Sequence, residues 1–353
     1  MAQRKQSYIE ILEEAWQEHL VPRQDDAPMV ISLFSGGGGS SLGYSMAGYR
    51  ELLAVEWDDN AVETFKLNFP DVPVYHGDIA GLSTDECLRL TNLEPGQLDV
   101  LDGSPPCQGF STAGKREMDD PRNSLFREYV RLLRGLHPRA FIMENVSGLV
   151  KGKMKLIFAE IMRELKASGY KVKCRLLNAM YYNVPQSRQR LIWIGVRDDL
   201  GIDPSHPRAE SQLFTVSQAL DGLHDDLADR VVPKNDSLTL QQMTWVRPGE
   251  SCHLHHSHHR LSMNKPSHTV DRGGGAGEWH IWHPAENRPI TRQEVKRLSS
   301  FPDSFTFAGG IGDAFACIGN SVPPLFMRAI ARHVREVILA QVRPGRLREC
   351  DTP

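Results

Sequence analysis

The stretch LFSGGGGSSLGYSMAGY, Leu33–Tyr49, decides how this chain is read. The apolar run Val30–Phe34 enters it as a strand, four glycines follow, and Ser40–Gly48 continues at helical spacing. A strand that turns through glycines into a helix lets the backbone approach a ligand closely at the helix N-terminus. The phosphate fingerprints do not fit. After Gly36 and Gly38 the third position of a dinucleotide motif is Ser41, and Gly38 and Gly43 keep P-loop spacing with Tyr44 where its lysine belongs. The expected ligand is nucleoside-like without a pyrophosphate.

Outward from that turn, short apolar runs alternate with helical stretches. Strands are expected at Val30–Phe34, Leu52–Glu56, Val74–His76, Leu98–Asp102, Ala140–Glu144, Lys171–Leu177 and Leu191–Val196. Helices are expected at Ser40–Gly48, Asn60–Asn68, Asn123–Leu136 and Leu156–Ser168, the third carrying a stripe of Leu125, Tyr129, Leu132 and Leu136. This alternation predicts an α/β fold with a doubly wound, Rossmann-like, largely parallel sheet, whose ligands bind at the carboxyl ends of strands. Within residues 1–28, Ile9, Leu12, Trp16 and Leu20 predict a short helix closed by Pro22 and Asp25-Asp26. Residues 29–197 form the cofactor-binding and catalytic domain. Residues 198–290, rich in Pro, His, Asp and Gly, read as a smaller irregular domain, and 291–345 as a segment returning to the first.

Composition sets outer limits. The 353 residues are 40% hydrophobic and 24% charged, a normal globular balance for one large and one small domain. A net charge of -3 announces no nucleic-acid binder, yet a basic groove can sit on a neutral protein. Six scattered cysteines without a C-x-x-C pair argue against a zinc module or disulfide framework and for a reducing compartment. The N-terminus lacks the apolar core of a signal peptide, and no run is expected to span a membrane. A cytoplasmic protein is expected.

Three positions then carry chemistry. Glu56 ends the second strand twenty positions after Gly36, where a carboxylate accepts hydrogen bonds from ribose hydroxyls; Asp78, in HGDI, is placed to meet an adenine edge. An adenosyl ligand without phosphates is S-adenosylmethionine. In LDVLDGSPPCQGFSTAGKR, Leu98–Arg116, two prolines fix the backbone before Cys107, and Gly103 and Gly109 allow sharp turns around it. A cysteine presented there suits attack on an electron-poor ring carbon, because its thiolate is strongly nucleophilic. Lys115 and Arg116 would favour the thiolate, and Asp102 would oppose it if it points inward.

PPCQGFS after a fourth strand, FSGGGG after a first, ENV after a fifth, QSRQR before a seventh and GNSVPP near the C-terminus together resemble, in order, the motif set of the DNA (cytosine-5) methyltransferases. The resemblance covers residues 29–196 and 258–340, with a small departure at Gly37 and an added acid at Asp102. It implies a methyltransferase sheet with a target-recognition domain. The implied S-adenosylmethionine pocket is Phe34, Gly36, Gly38, Glu56, Trp57, Asp78, Ile79 and Pro106, completed by Asn320, Ser321 and Val322. Cys107 resembles the nucleophile, Glu144 the carboxylate that holds the cytosine edge, and Arg188 and Arg190 the arginines that steady the base and the catalytic loop. No metal is implied.

The implied reaction adds the Cys107 thiolate to carbon 6 of a flipped-out cytosine, so that carbon 5 attacks the methyl donor. Glu144, at a buried strand end, would hold a raised pKa by desolvation and supply a proton to ring nitrogen 3. Lys115, Arg116, Arg122, Arg127, Arg131 and Arg134, with Lys151, Lys153, Lys155, Lys171, Lys173 and Arg175, are candidate phosphate contacts on duplex DNA. The histidine-rich SCHLHHSHHRLS, Ser251–Ser262, has no recognised metal-ligand spacing and reads as a polar loop near DNA; Arg260, Pro266 and Thr269 resemble a scaffolding motif. Alternatives are the same reaction on tRNA cytosine and a catalytically silent DNA-binding regulator. A monomer and a cognate restriction endonuclease complete the expectations.

Overall fold

The computed structural model describes residues 6–106, 124–210, 212–223, 237–253, 258–271 and 280–342. Strands β1 (Met29–Leu33), β2 (Arg50–Glu56), β3 (Val74–His76), β4 (Val100–Gly103), β5 (Ala140–Val146), β6 (Tyr170–Asn178) and β7 (Gln189–Arg197) form one sheet in the order β3-β2-β1-β4-β5-β7-β6. All seven expected strands are present. β1 to β5 pair in parallel, whereas β7 runs antiparallel to both β5 and β6. That reversal was not anticipated. Residues 179–188 hold only a 3-10 turn at Ala179–Tyr181, and a parallel crossover needs a dozen or more residues.

Helices α1 (Tyr8–Leu20), α2 (Gly39–Met46), α3 (Asp59–Asn68), α4 (Thr84–Thr91), α5 (Ser124–Leu136) and α6 (Lys155–Ala167) accompany the first six strands. One apolar layer joins the sheet to α2 and the C-terminal helices, and another joins it to α5 and α6. The α5 stripe performs as its spacing predicts: Tyr129, Leu132 and Leu136 are fully buried. Gly103 differs from expectation. It ends β4 instead of making a turn, and a Cβ there would meet the Tyr129 ring at 2.6 Å. In α1 the anchors are Tyr8, Leu12 and Ala15, while Leu20 is left exposed. Tyr8 OH donates to the carbonyl of Arg297, and Glu18 pairs with Arg328 at 2.7 Å and Arg332 at 2.9 Å.

Beyond residue 197 come α7 (Val216–Leu220), α8 (Ser237–Trp245), β8 (His259–Arg260), β9 (Ile281–Trp282), α9 (Arg292–Leu298), α10 (Ile311–Asn320) and α11 (Pro324–His333), the last continued by a π-helical stretch, Val334–Leu339. The main core does not stop at 197: Phe214, Val216, Leu261, Val270 and Ile290 belong to it. Met243, Cys252 and Trp282 form a separate small cluster. The run Ile311–Val342 is long and apolar enough by composition to cross a membrane, contrary to expectation. It is interrupted at Ser321–Pro323 and 72% of its apolar window is buried within the fold, as core helices are.

The C-terminal segment returns to a defined place. A Cβ at Gly39 would lie 2.7 Å from the Val322 carbonyl, and one at Gly43 2.6 Å from Met327 Cβ. Glycines one turn apart on α2 therefore let α11 and the GNSVPP segment dock against the glycine loop. This juxtaposition positions the site.

Candidate active site

The strand order reverses between β1 and β4, where open α/β sheets bind their ligands. At that point Phe34, Gly36 and Gly38 have φ of +59°, +55° and +94°. Glycine tolerates this left-handed region; Phe34 holds it under strain of the kind that gathers at functional sites. Beside Gly36 there is open space, with nothing within 4 Å of a Cβ position.

Glu56 is 8% exposed and fixed by backbone donors. Gly36 N–H reaches its Oε2 at 2.8 Å, and the N–H groups of Trp57 and Asp58 reach Oε1 at 2.8 and 3.0 Å. Trp57 beside it is 77% exposed. Asp78 is exposed and caps the turn Ile79–Gly81 by accepting from Ala80 N–H at 2.9 Å, while Ile79 is buried. Asn320 is exposed, Ser321 Oγ donates to the Cys317 carbonyl at 2.7 Å, and Val322 is buried against α2. Thus Phe34, Gly36, Gly38, Glu56 and Trp57 meet at one loop, with Ser321 and Val322 against its helix.

The second half of the site lies on β5 and β7, which pair so that Glu144 opposes Ile192 and Val146 opposes Arg190. Arg190 Nε contacts Glu144 Oε1 at 2.7 Å, both side chains being nearly buried. The sequence reading gave Glu144 no such partner. Arg188 is 3% exposed and serves as a brace: it donates to the carbonyls of Val270 at 2.8 Å and Gly319 at 2.7 Å. Burial, with Arg190 adding to it, lowers its pKa to about 9. Through Arg188, β7 holds both the segment after β8 and the end of α10.

Two residues inside the quoted motifs have positions that sequence reasoning missed. Asn145, in ENV, donates to the Pro105 carbonyl at 2.9 Å and so ties β5 to the loop two residues before Cys107. Gln186, in QSRQR, is buried; it accepts from Val270 N–H at 3.1 Å and donates to Ser299 Oγ at 3.0 Å. Amides placed beside acids and arginines were the available signal. Pro106 is exposed at the end of the described stretch. Cys107 itself lies outside the described residues, as do Gly109, Lys115, Arg116 and Arg122.

Asp102 does point inward, away from solvent, and accepts from Tyr44 OH at 3.1 Å. Burial pushes its carboxyl well above the usual range, the hydrogen bond from Tyr44 offsetting this in part.

Several expected phosphate contacts are committed elsewhere. Arg131 donates to the carbonyls of Ile79 and Leu82 and pairs with Glu128; Arg134 pairs with Glu164, and Lys171 with Asp203. Lys151, Lys155, Lys173 and Arg175 are exposed. Of the histidine cluster, His255 and His256 lie outside the described residues; His259 lies 4.5 Å from His268, and His258 5.5 Å from Trp282, centroid to centroid. Arg260 is a hub, donating to the carbonyls of Met243, Val246, His283 and Glu286, and Thr269 donates to the Ser187 carbonyl at 2.8 Å. A cleft of about 570 Å³ lies elsewhere, lined by Tyr182, His206, Arg208, Arg328, Arg332 and His333 among others.

The profile of the C-5 cytosine-specific DNA methylases matches residues 29–336. The chain is 37% identical over 329 residues to the type II methyltransferase M1.HphI of Haemophilus parahaemolyticus, covering 86% of each protein. It is 32% identical over 364 residues to M.XorII of Xanthomonas oryzae pv. oryzae, covering 88% of this chain and 85% of that one. Among solved structures it is similar to a prophage-encoded E. coli protein assigned as a DNA modification methyltransferase, with TM-score 0.75 and 27% identity over 88% of this chain and 99% of that one. A Spodoptera frugiperda DNMT2 variant shares the fold, with TM-score 0.65 and 18% identity over 86% and 98% of the two chains.

Proposed function

The chain belongs to the family of C-5 cytosine-specific DNA methylases, and from that premise we propose which of its residues perform the reaction. Its activity is that of a DNA (cytosine-5) methyltransferase, and its cofactor is S-adenosylmethionine. The residues fit the cofactor. Open space beside Gly36, the exposed ring of Trp57 and the anchored carboxylate of Glu56 suit a flat base with a ribose and no phosphates. Phe34, Gly36, Gly38, Glu56, Trp57, Asp78, Ile79, Pro106, Asn320, Ser321 and Val322 would hold it. When bound, it supplies the methyl group.

The reading of the chemistry rests on one observation: Glu144 and Arg190 are paired at 2.7 Å on the strand whose next residue, Asn145, holds the loop leading to Cys107. A flipped cytosine there would meet a thiol, a carboxyl and a guanidinium together. The Cys107 thiolate adds to carbon 6 of the ring, and negative charge develops at ring nitrogen 3. Glu144 supplies a hydrogen bond or proton to that nitrogen, while Arg190 orients Glu144 and offers planar donors to the base oxygen. Carbon 5 then takes the methyl group. Loss of its proton and elimination of Cys107 restore the ring.

Arg188, just before β7, contributes by bracing the segment after β8 and the end of α10. Residues 198–290 are assigned target recognition, and the chain is assigned a cytoplasmic setting as a monomer. The curated relatives named type II methyltransferases support a cognate restriction endonuclease as partner.

Replacing Cys107 by Ser is expected to abolish transfer of a tritiated methyl group to duplex DNA while cofactor binding persists. Full activity in that variant would refute the covalent route. Bisulfite sequencing of DNA from expressing cells reads the base and its context.

A further inference from the structure

Helix α1 precedes the region shared with the family, which begins at residue 29, and the chemistry above does not use it. Its last turn nevertheless touches three elements that support the cofactor loop. The first is α11. Glu18 closes a two-pronged pair with Arg328, whose Nε and Nη2 each donate to one carboxylate oxygen at 2.7 Å. Arg332, one turn further along α11, donates to Glu18 Oε1 at 2.9 Å. The Arg328 side chain is 16% exposed and that of Glu18 36%, so the fork is partly shielded from water.

The second element is α2. His19 Nδ1 and Ser45 Oγ are hydrogen-bonded at 2.8 Å. Arg23, just past the helix, donates to the Ser45 carbonyl and to the carbonyls of Glu18 at 2.7 Å and His19 at 3.3 Å. The third is the end of α3. The His19 ring meets Phe69 edge to face, with 5.5 Å between centroids. Phe69 in turn packs against the glycine loop, since a Cβ at Gly38 would lie 2.6 Å from its ring.

Helices α2 and α11 carry the two sides of the cofactor pocket. The Gly36–Gly38 loop runs directly into α2, and the Asn320–Val322 segment leads into α11. Where they meet, Gly39 faces the Val322 carbonyl and Gly43 faces Met327, a contact with no side chain on the α2 side to fix it. Arg335 joins the far ends through the Ala47 carbonyl at 2.9 Å. The last turn of α1 bridges the same two helices from outside.

We propose that Glu18 and His19 are positioning residues for S-adenosylmethionine. They clamp α2 to α11, and so hold the Gly36–Gly38 loop and the Asn320–Val322 segment at the separation the cofactor requires. This rests on the reading that the cofactor lies between those two segments. Without the clamp, the fitting arrangement becomes one of several, and apparent affinity falls with the fraction of molecules that adopt it. Saturating cofactor selects that arrangement again, so the chemical step is spared.

The test compares the full-length wild type with Glu18→Gln and His19→Ala, by calorimetry with S-adenosylmethionine and by steady-state methylation of duplex DNA. Each variant is expected to bind the cofactor about three- to tenfold more weakly. KM for the cofactor should rise in proportion, while kcat at saturating cofactor and KM for DNA stay at the wild-type values. Thermal melting, run alongside, separates positioning from stability. Variants that melt lower yet bind the cofactor as tightly as the wild type, well below their melting temperatures, would make α1 a stabilising helix only and overturn the proposal. A loss confined to kcat or to KM for DNA would overturn it too. Glu56→Ala distinguishes the two levels of the argument. If that variant kept full cofactor affinity, the pocket reading itself would fall; if it bound weakly and the clamp variants did not, only the clamp would.

Discussion

Glu56 on β2 and Glu144 on β5 stand toward the carboxyl ends of strands in one sheet, and each is 8% exposed, yet they are held in opposite ways. Glu56 receives three backbone N–H groups from its own loop and the glycine turn. Glu144 is held by the guanidinium of Arg190. A carboxylate fixed by backbone donors cannot be released without moving the loop, which suits a group that must wait in place for a cofactor. A carboxylate held by one long side chain can be re-aimed as a base arrives. The cofactor end is thus built into the backbone, and the base end into side chains.

The contrast is most sharply exposed at Glu144. Glu144→Gln keeps the shape and removes the acid; turnover is expected to fall on the order of 100-fold to 10,000-fold, with cofactor affinity nearly unchanged. Single-turnover methylation alongside calorimetry separates the two quantities. A variant that lost cofactor binding instead would merge the two ends of the site and end the comparison.

Glu56→Ala should behave in the complementary way. Cofactor binding weakens by about 1–3 kcal/mol, the cost of ribose hydroxyls and backbone N–H groups left without an acceptor, while turnover at saturating cofactor is largely kept. Calorimetric affinity equal to the wild type would remove Glu56 from the pocket.

The smallest expected effect tests the join between the halves. Asn145→Ala removes the bond to the Pro105 carbonyl, worth about 1 kcal/mol. Methylation should slow several-fold through a less ordered nucleophile loop, with melting temperature lowered slightly and cofactor affinity intact. A rate indistinguishable from the wild type would show that the loop needs no support from β5.

Much of this was legible in the order of residues. Strands β1 to β7 announced themselves through runs of apolar residues, and the glycine turn through a cluster that no other element tolerates. Glu56 could be located because the strand before it sets its distance from Gly36. Other features had no local signal. The inward direction of Asp102 depends on β4 lying beneath α2, and the long reach of Arg188 to Val270 and Gly319 depends on segments far away in sequence. Arg131 and Arg134 read as free cations because the carbonyls of Ile79 and Leu82 and the carboxylate of Glu164 that engage them come from elsewhere in the chain.

By itself the sequence determined the alternation of elements, the turn that faces the cofactor and the identity of the groups able to react, because these follow from spacing and side-chain chemistry along a few residues. Only the tertiary structure decided that β7 runs backwards, that the Ser321–Val322 segment seats on Gly39 and α11 on Gly43, and that Asp102 lies buried beneath α2. Those outcomes depend on which distant surfaces meet, and burial acts on a charge only once the chain has closed around it.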